Sequence, residues 1–174
     1  MESEETAVGS LTLNEYQEKA KTTAVFPGEV LVVYPALGLV DEVGELLSAE
    51  LDDVDNFIAE CGDVMWYAAV LADNLYLKLE DCYDEATLTS LPDGQGLFTD
   101  AALICGRVKK LLRGDANSED TVEAIRGYIG DIVRRIQSLA GQFEVTLEEV
   151  CERNLDKLFD RKERGVLKGD GDNR

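Results

Sequence analysis

The sequence predicts an all-α protein, and three observations carry that prediction. Apolar residues recur at steps of three and four along most of the chain, the spacing of a single helix face. Two capping boxes mark helix starts, Thr12-Leu-Asn-Glu15 and Thr146-Leu-Glu-Glu149. In each, a threonine hydroxyl and a glutamate three residues later can satisfy one another's backbone N–H groups. The strand-like run Val30–Tyr34 is short and its surroundings offer no partner strand.

Taken in order, residues 1–10 read as disordered. A first helix is predicted from Leu13 to about Thr23, with Tyr16 and Ala20 on one face. Phe26-Pro-Gly28 breaks the pattern, and a loop is expected as far as Pro35. A second helix reads from Ala36 to Glu50 on the stripe Leu39, Val43, Leu46 and Leu47. A third reads from Val54 or Asn56 to Leu79, with Ile58, Cys61, Met65, Ala68 and Ala72 on one face. Residues 81–99 contain Pro92, Gly94 and Gly96 and read as a connecting loop. A fourth helix is predicted from Asp100 to Arg113, carrying the basic cluster Arg107, Lys109, Lys110 and Arg113. After a turn at Gly114–Ser118, a fifth runs from Glu119 to Gly141 on Val122, Ile125, Ile129, Ile132, Val133, Ile136 and Leu139. The second capping box opens a sixth that ends at Arg164, before Gly165 and a glycine-rich charged tail over 165–174.

A chain of 174 residues with 45% hydrophobic content suits a single domain, expected over residues 11–164. Its net charge of −19 argues against stable nucleic-acid binding and against anionic membranes. There is no histidine, and the four cysteines form no CxxC pair, which removes Cys/His zinc sites and histidine-based triads. The start MESEETAV is acidic where a secretion signal would be basic, and no apolar run approaches the ~20 residues that span a bilayer. A reduced, cytoplasmic setting is expected. Acid–base work at neutral pH would then fall to carboxylates, lysine or metal-bound water.

The most informative stretch is Tyr34–Asp73. Nine acids lie between Asp41 and Asp63, and no Lys or Arg occurs between Thr22 and Leu77. Glu42 with Glu45, and Glu60 with Asp63, are pairs at a three-residue step, so each pair shares a helix face. Two such helices joined by the turn around Asp52–Asn56 could bring four carboxylates to one point. Like charges so close repel unless something neutralises them, and a hard divalent cation with oxygen ligands would do so. The plainer reading is a solvated acidic helix surface. On the last helix, Asn154, Lys157 and Arg161 share a face.

Two hairpins, 36–79 and 100–141, also resemble one another. Val43-Gly-Glu-Leu-Leu47 can be set against Val108-Lys-Lys-Leu-Leu112, and Cys61-Gly-Asp-Val64 against Ile129-Gly-Asp-Ile132. The second keeps Asp131, with Tyr128 where the first has Glu60. Duplication with a degenerate second copy and chance similarity of helical hairpins both fit.

These residues resemble the MazG-like nucleoside triphosphate pyrophosphohydrolases of the all-alpha NTP pyrophosphatase superfamily, relatives of the dimeric dUTPases. That family's metal motif, E-x-x-E then E-x-x-D, reads here as Glu42-Val-Gly-Glu45 and Glu60-Cys-Gly-Asp63. The flanks Tyr34-Pro-Ala-Leu-Gly-Leu39 and Asp63-Val-Met-Trp-Tyr-Ala68 agree, as do Leu11–Thr23, Asn154-Leu-Asp-Lys-Leu158 and Arg164-Gly-Val-Leu-Lys-Gly-Asp-Gly-Asp-Asn-Arg174. Asp41 stands where family members often have glutamate. The similarity covers roughly 11–80 and 146–174.

The resemblance implies a helical bundle of that type, Mg²⁺ with Mn²⁺ as a substitute, and hydrolysis of a nucleoside triphosphate to monophosphate and pyrophosphate. Glu42, Glu45, Glu60 and Asp63 would hold metal, and Glu42 or Glu45 would act as general base. Asn154, Lys157, Arg161, Lys168 and Arg174 would bind triphosphate, the last two from a closing tail. Gln17, Trp66 and Tyr67 would line a base pocket, although such side chains are more often core. A homo-oligomer is implied, with a dimer favoured. The rival readings are an acidic, non-catalytic helical protein that binds a basic partner or mimics nucleic-acid charge, and a triphosphatase that releases orthophosphate.

Overall fold

Thr12 and Thr146 both cap helices, as their spacing predicts. Thr12 Oγ1 accepts from the Glu15 N–H, and Glu15 accepts from the Thr12 N–H, closing the box at the start of α1 (Leu13–Ala20). At the start of α7 (Leu147–Glu163), Thr146 accepts from the Glu149 N–H, while the Glu149 carboxylate accepts from Arg153. The computed structural model describes residues 10–114 and 117–168, and these form seven α-helices, two single 3₁₀ turns and no strand. Residues 1–9, most of the predicted disordered start, and Arg174 in the tail lie outside the described residues.

Between those ends run α2 (Val33–Ser48), α3 (Val54–Asn74), α4 (Leu79–Asp84), α5 (Asp93–Arg113) and α6 (Ser118–Gly141). Several boundaries differ from the sequence prediction. The strand-like Val33 and Tyr34 open α2, because Pro35 falls in the first turn, where its missing N–H costs no helical bond. The third predicted helix stops at Asn74 instead of Leu79: Tyr76 takes a left-handed φ of 59°, and the Leu77 N–H returns to the Ala72 carbonyl. The predicted loop 81–99 contains most of α4 and the first two turns of α5. Its glycines looked like helix breakers, yet Gly96 lies under the guanidinium of Arg135, which a Cβ there would overlap. Gly114, at φ 75°, then ends α5.

Helices α2 and α3 pack against each other as one hairpin, α5 and α6 as another, and α2–α5 and α3–α6 contacts join them. α1 and α7 lie against α3, and α4 lies against α6. The core between them includes Leu39, Val43, Leu46, Ile58, Met65, Leu71, Ile104, Ile129, Ile132 and Ile136, all essentially fully buried. Each such aliphatic stabilises the fold by about 1.5–3 kcal/mol relative to exposure. Among the described residues, no helix is long and apolar enough to cross a membrane.

Candidate metal centre

The α2–α3 pairing brings Glu42 of α2 to Glu60 and Asp63 of α3, and one carboxylate oxygen from each lies within 4.8 Å of the others. The three-residue step puts Glu60 and Asp63 on the same side of α3. Glu60 is drawn almost wholly into the bundle, at 5% exposure. Burial pushes the Glu42 carboxyl up to about 8, and the charges of Asp63, Glu45 and Glu60 add to the shift, while Lys157 opposes it. Glu45, one turn further along α2, is exposed and stands outside this trio. The predicted quartet is therefore a converging trio with a fourth acid beside it. An all-oxygen donor set of three carboxylates fits a hard divalent cation.

The neighbouring wall comes from α7 and α1. Lys157 Nζ lies 2.5 Å from Asp63 Oδ2, and Asn154 Nδ2 donates to Asp63 Oδ1 at 3.1 Å. Asn154 is held in turn by the Tyr16 hydroxyl, which donates to its Oδ1 at 2.8 Å. Burial raises the Tyr16 phenol well above its ordinary range, so it keeps the proton that it donates. Gly62 makes room for this wall, since a Cβ there would stand 2.9 Å from Asn154 Cβ. Arg161, on the same α7 face, is also buried, whereas Lys168 is exposed beyond the helix end.

A groove of about 730 Å³ opens between α2 and α5, lined by Tyr34, Leu37, Gly38, Tyr67, Ala102 and Cys105 among others; no member of the trio lines it, but Glu42 and Asp63 lie close enough to Tyr67 to act on its hydroxyl. The Tyr67 ring covers Gly38 so closely that a Cβ would overlap it. Tyr34 stacks on Phe26 at 4.7 Å between centroids and meets Tyr67 at 6.2 Å. Trp66 packs edge-on against Tyr67, but its indole N–H donates to Thr23 Oγ1 at 2.9 Å, tying α3 to the end of α1. Gln17 is buried, and its amide bonds the Leu77 carbonyl and the Leu79 N–H, both at 2.8 Å. Gln17 thus holds the α3–α4 junction, and of the three proposed pocket residues only Tyr67 lines the groove.

The chain is 40% identical over 81 residues to the Gene 37 protein of Mycobacterium phage L5, a match spanning 45% of this chain and 71% of that protein. It belongs to the Gene 37 family. No family model matches the chain, and no solved structure matches it significantly.

In this member of the Gene 37 family, the second hairpin holds a charge cluster of which the sequence singles out only Asp131. Asp131 is buried beside Asp100 and Arg135, and these three are 6%, 3% and 1% exposed. Burial raises the Asp100 carboxyl to about 6; Asp131 adds to that shift and Arg135 opposes it. The sequence predicts a helix start at Asp100, whereas α5 begins at Asp93 and carries Asp100 two turns in, on its buried side. The basic cluster Arg107, Lys109, Lys110 and Arg113 occupies the last two turns of α5, where the helix dipole favours cations.

Proposed function

We propose that the chain is a MazG-like nucleoside triphosphate pyrophosphohydrolase that works with Mg²⁺, or with Mn²⁺ in its place. What supports this reading is the meeting of Glu42, Glu60 and Asp63 beside Lys157, next to an aromatic-walled groove. Glu42, Glu60 and Asp63 would hold the ion through oxygen alone. When bound, Mg²⁺ offsets the carboxylate repulsion, polarises phosphoryl oxygens and lowers the pKa of the attacking water.

The chain's own residues divide the remaining work. Asn154 fixes Asp63 in orientation, so the acid is presented without rotamer search. Lys157 and Arg161 supply positive charge for the triphosphate, with Lys168 approaching from beyond α7. Glu45, exposed and outside the trio, accepts the proton of the attacking water at a carboxylate oxygen. The water oxygen bonds to the α-phosphorus as the bond to the α–β bridging oxygen breaks, giving nucleoside monophosphate and pyrophosphate. Tyr34 and Tyr67 offer ring faces for the base, and assembly into a dimer belongs to the same reading.

The test is a panel of nucleoside and deoxynucleoside triphosphates with Mg²⁺, read by product identity. Pyrophosphate and monophosphate are expected. Orthophosphate, or no turnover on any member, contradicts the proposal.

A further inference from the structure

The two hairpins match in a register different from the one that their leucine pairs suggest. Gly38 of α2 lies under Tyr67 of α3, and Gly96 of α5 lies under Arg135 of α6; in both places a Cβ would overlap the covering side chain. Four residues after each glycine comes an acid, Glu42 or Asp100. Four residues before each covering side chain comes another, Asp63 or Asp131, itself preceded by a closely packed glycine, Gly62 or Gly130. Glu42 therefore corresponds to Asp100, seven residues before the Arg107 that the Leu-Leu match would give it. The other two acids are replaced: Leu103 stands for the exposed Glu45 and Tyr128 for the buried Glu60.

The decisive difference is at the covering position. Tyr67 is neutral, and the acids of the first hairpin draw on Lys157 from α7. Arg135 is a cation buried to 1% exposure, with Nε 3.5 Å from Asp100 Oδ2. Its surroundings are oxygen: the Leu91 carbonyl at 2.9 Å, Thr89 Oγ1 at 2.8 Å, the Thr89 carbonyl at 3.4 Å and Asp93 Oδ1 at 3.4 Å. Among the described residues, Asp100 Oδ2 and Asp131 Oδ1 are both buried without a well-formed hydrogen bond, and so is the Arg135 Nε that faces Asp100, while the Thr87 backbone acts on the Asp131 carboxylate. A buried guanidinium in an oxygen cage beside two acids supplies one positive charge where a divalent cation would supply two.

We infer that α5–α6 is a second copy of the α2–α3 hairpin whose cation site is filled from within the chain by Arg135, leaving a latent divalent-cation site beneath it. This rests on reading Glu42, Glu60 and Asp63 as the cation site of the first copy. Replacing Arg135 by a neutral side chain opens the cage to a metal, with Asp100 and Asp131 as ligands.

The experiment counts Mn²⁺ bound per chain, from the spectrum of free Mn²⁺, in the wild type, Arg135→Gln, Arg135→Lys and the double variant Glu42→Gln/Arg135→Gln. One ion is expected for the wild type, two for Arg135→Gln, one for Arg135→Lys, and one for the double variant. Should Arg135→Gln unfold in metal-free buffer, Mn²⁺ is expected to restore its helical circular dichroism. An Arg135→Gln chain that folds without gaining an ion, or stays unfolded with Mn²⁺, overturns the inference. A wild type that binds none, with one ion gained by Arg135→Gln, would instead overturn the reading of the first site and leave the latent site standing.

Discussion

Lys157 reaches from α7 to place its ammonium nitrogen 2.5 Å from Asp63 Oδ2 on α3, so the helix that closes the bundle also neutralises part of the acidic trio. The pair is partly buried, with side-chain exposures of 21% and 15%. Truncating Lys157 leaves Asp63 beside Glu42 and Glu60 without that counterion. We expect Lys157→Met to lower stability by about 1–2 kcal/mol in metal-free buffer, a figure already discounted for solvent screening. Mg²⁺ should recover part of the loss, as read from denaturant midpoints with and without the ion.

Two glycines of α2 separate packing from propensity. Gly38 is covered by Tyr67, whereas a Cβ on Gly44 meets nothing within 4 Å. Gly38→Ala should cost about 1–3 kcal/mol, because the ring must be displaced. Gly44→Ala should raise stability by up to about 1 kcal/mol through helix propensity alone. Thermal melts of the two variants check this, and similar shifts in both would contradict the packing of Tyr67 on Gly38.

How far the sequence revealed this molecule can be judged at particular residues. The helical spacing and the capping threonines Thr12 and Thr146 made the all-α class readable, since both signals are local. Glu60 and Asp63 were legible because a three-residue step fixes a shared face before any tertiary contact is known, whereas the same step pairs Glu42 with Glu45, and only the α2–α3 packing selects Glu42 for the trio. Gly94 and Gly96 misled, because a glycine that admits Arg135 looks in sequence like one that breaks a helix. The backbone bonds of Gln17 across α3–α4 were not legible, because sequence does not show which backbone groups a buried amide will meet. The recoverable signal was the spacing from Gly38 to Glu42, repeated from Gly96 to Asp100.

A pH dependence follows from Glu42. Its folded carboxyl is raised to about 8 by burial and by its acidic neighbours, so the folded state holds this proton more tightly than the unfolded chain does. The associated stability is fully present below the unfolded pKa of about 4.3 and is lost as pH rises through about 8. Metal-free wild type should therefore lose stability across that window, and Glu42→Gln should lose less. Equal slopes in the two proteins, measured by denaturation at a series of pH values, would contradict this.

Tyr16 acts on the site through Asn154, which it holds by a 2.8 Å hydrogen bond. Tyr16→Phe removes one hydroxyl and keeps the ring. The expected loss is about 0.5–1.5 kcal/mol of stability, with Mg²⁺ affinity weakened about tenfold, the lower end of what outer-shell ligands contribute. Calorimetric titration with Mg²⁺ distinguishes this from a purely structural effect, which would leave the affinity of the folded protein unchanged.

In the proposed function the acidic trio seats a cation on which hydrolysis depends. Its most direct test is nucleoside triphosphate turnover as a function of Mg²⁺ concentration in the wild type and in Glu60→Gln, with helical circular dichroism recorded on both. A saturable Mg²⁺ dependence is expected in the wild type, with turnover abolished in a folded Glu60→Gln. Turnover of the same size in both proteins would contradict it.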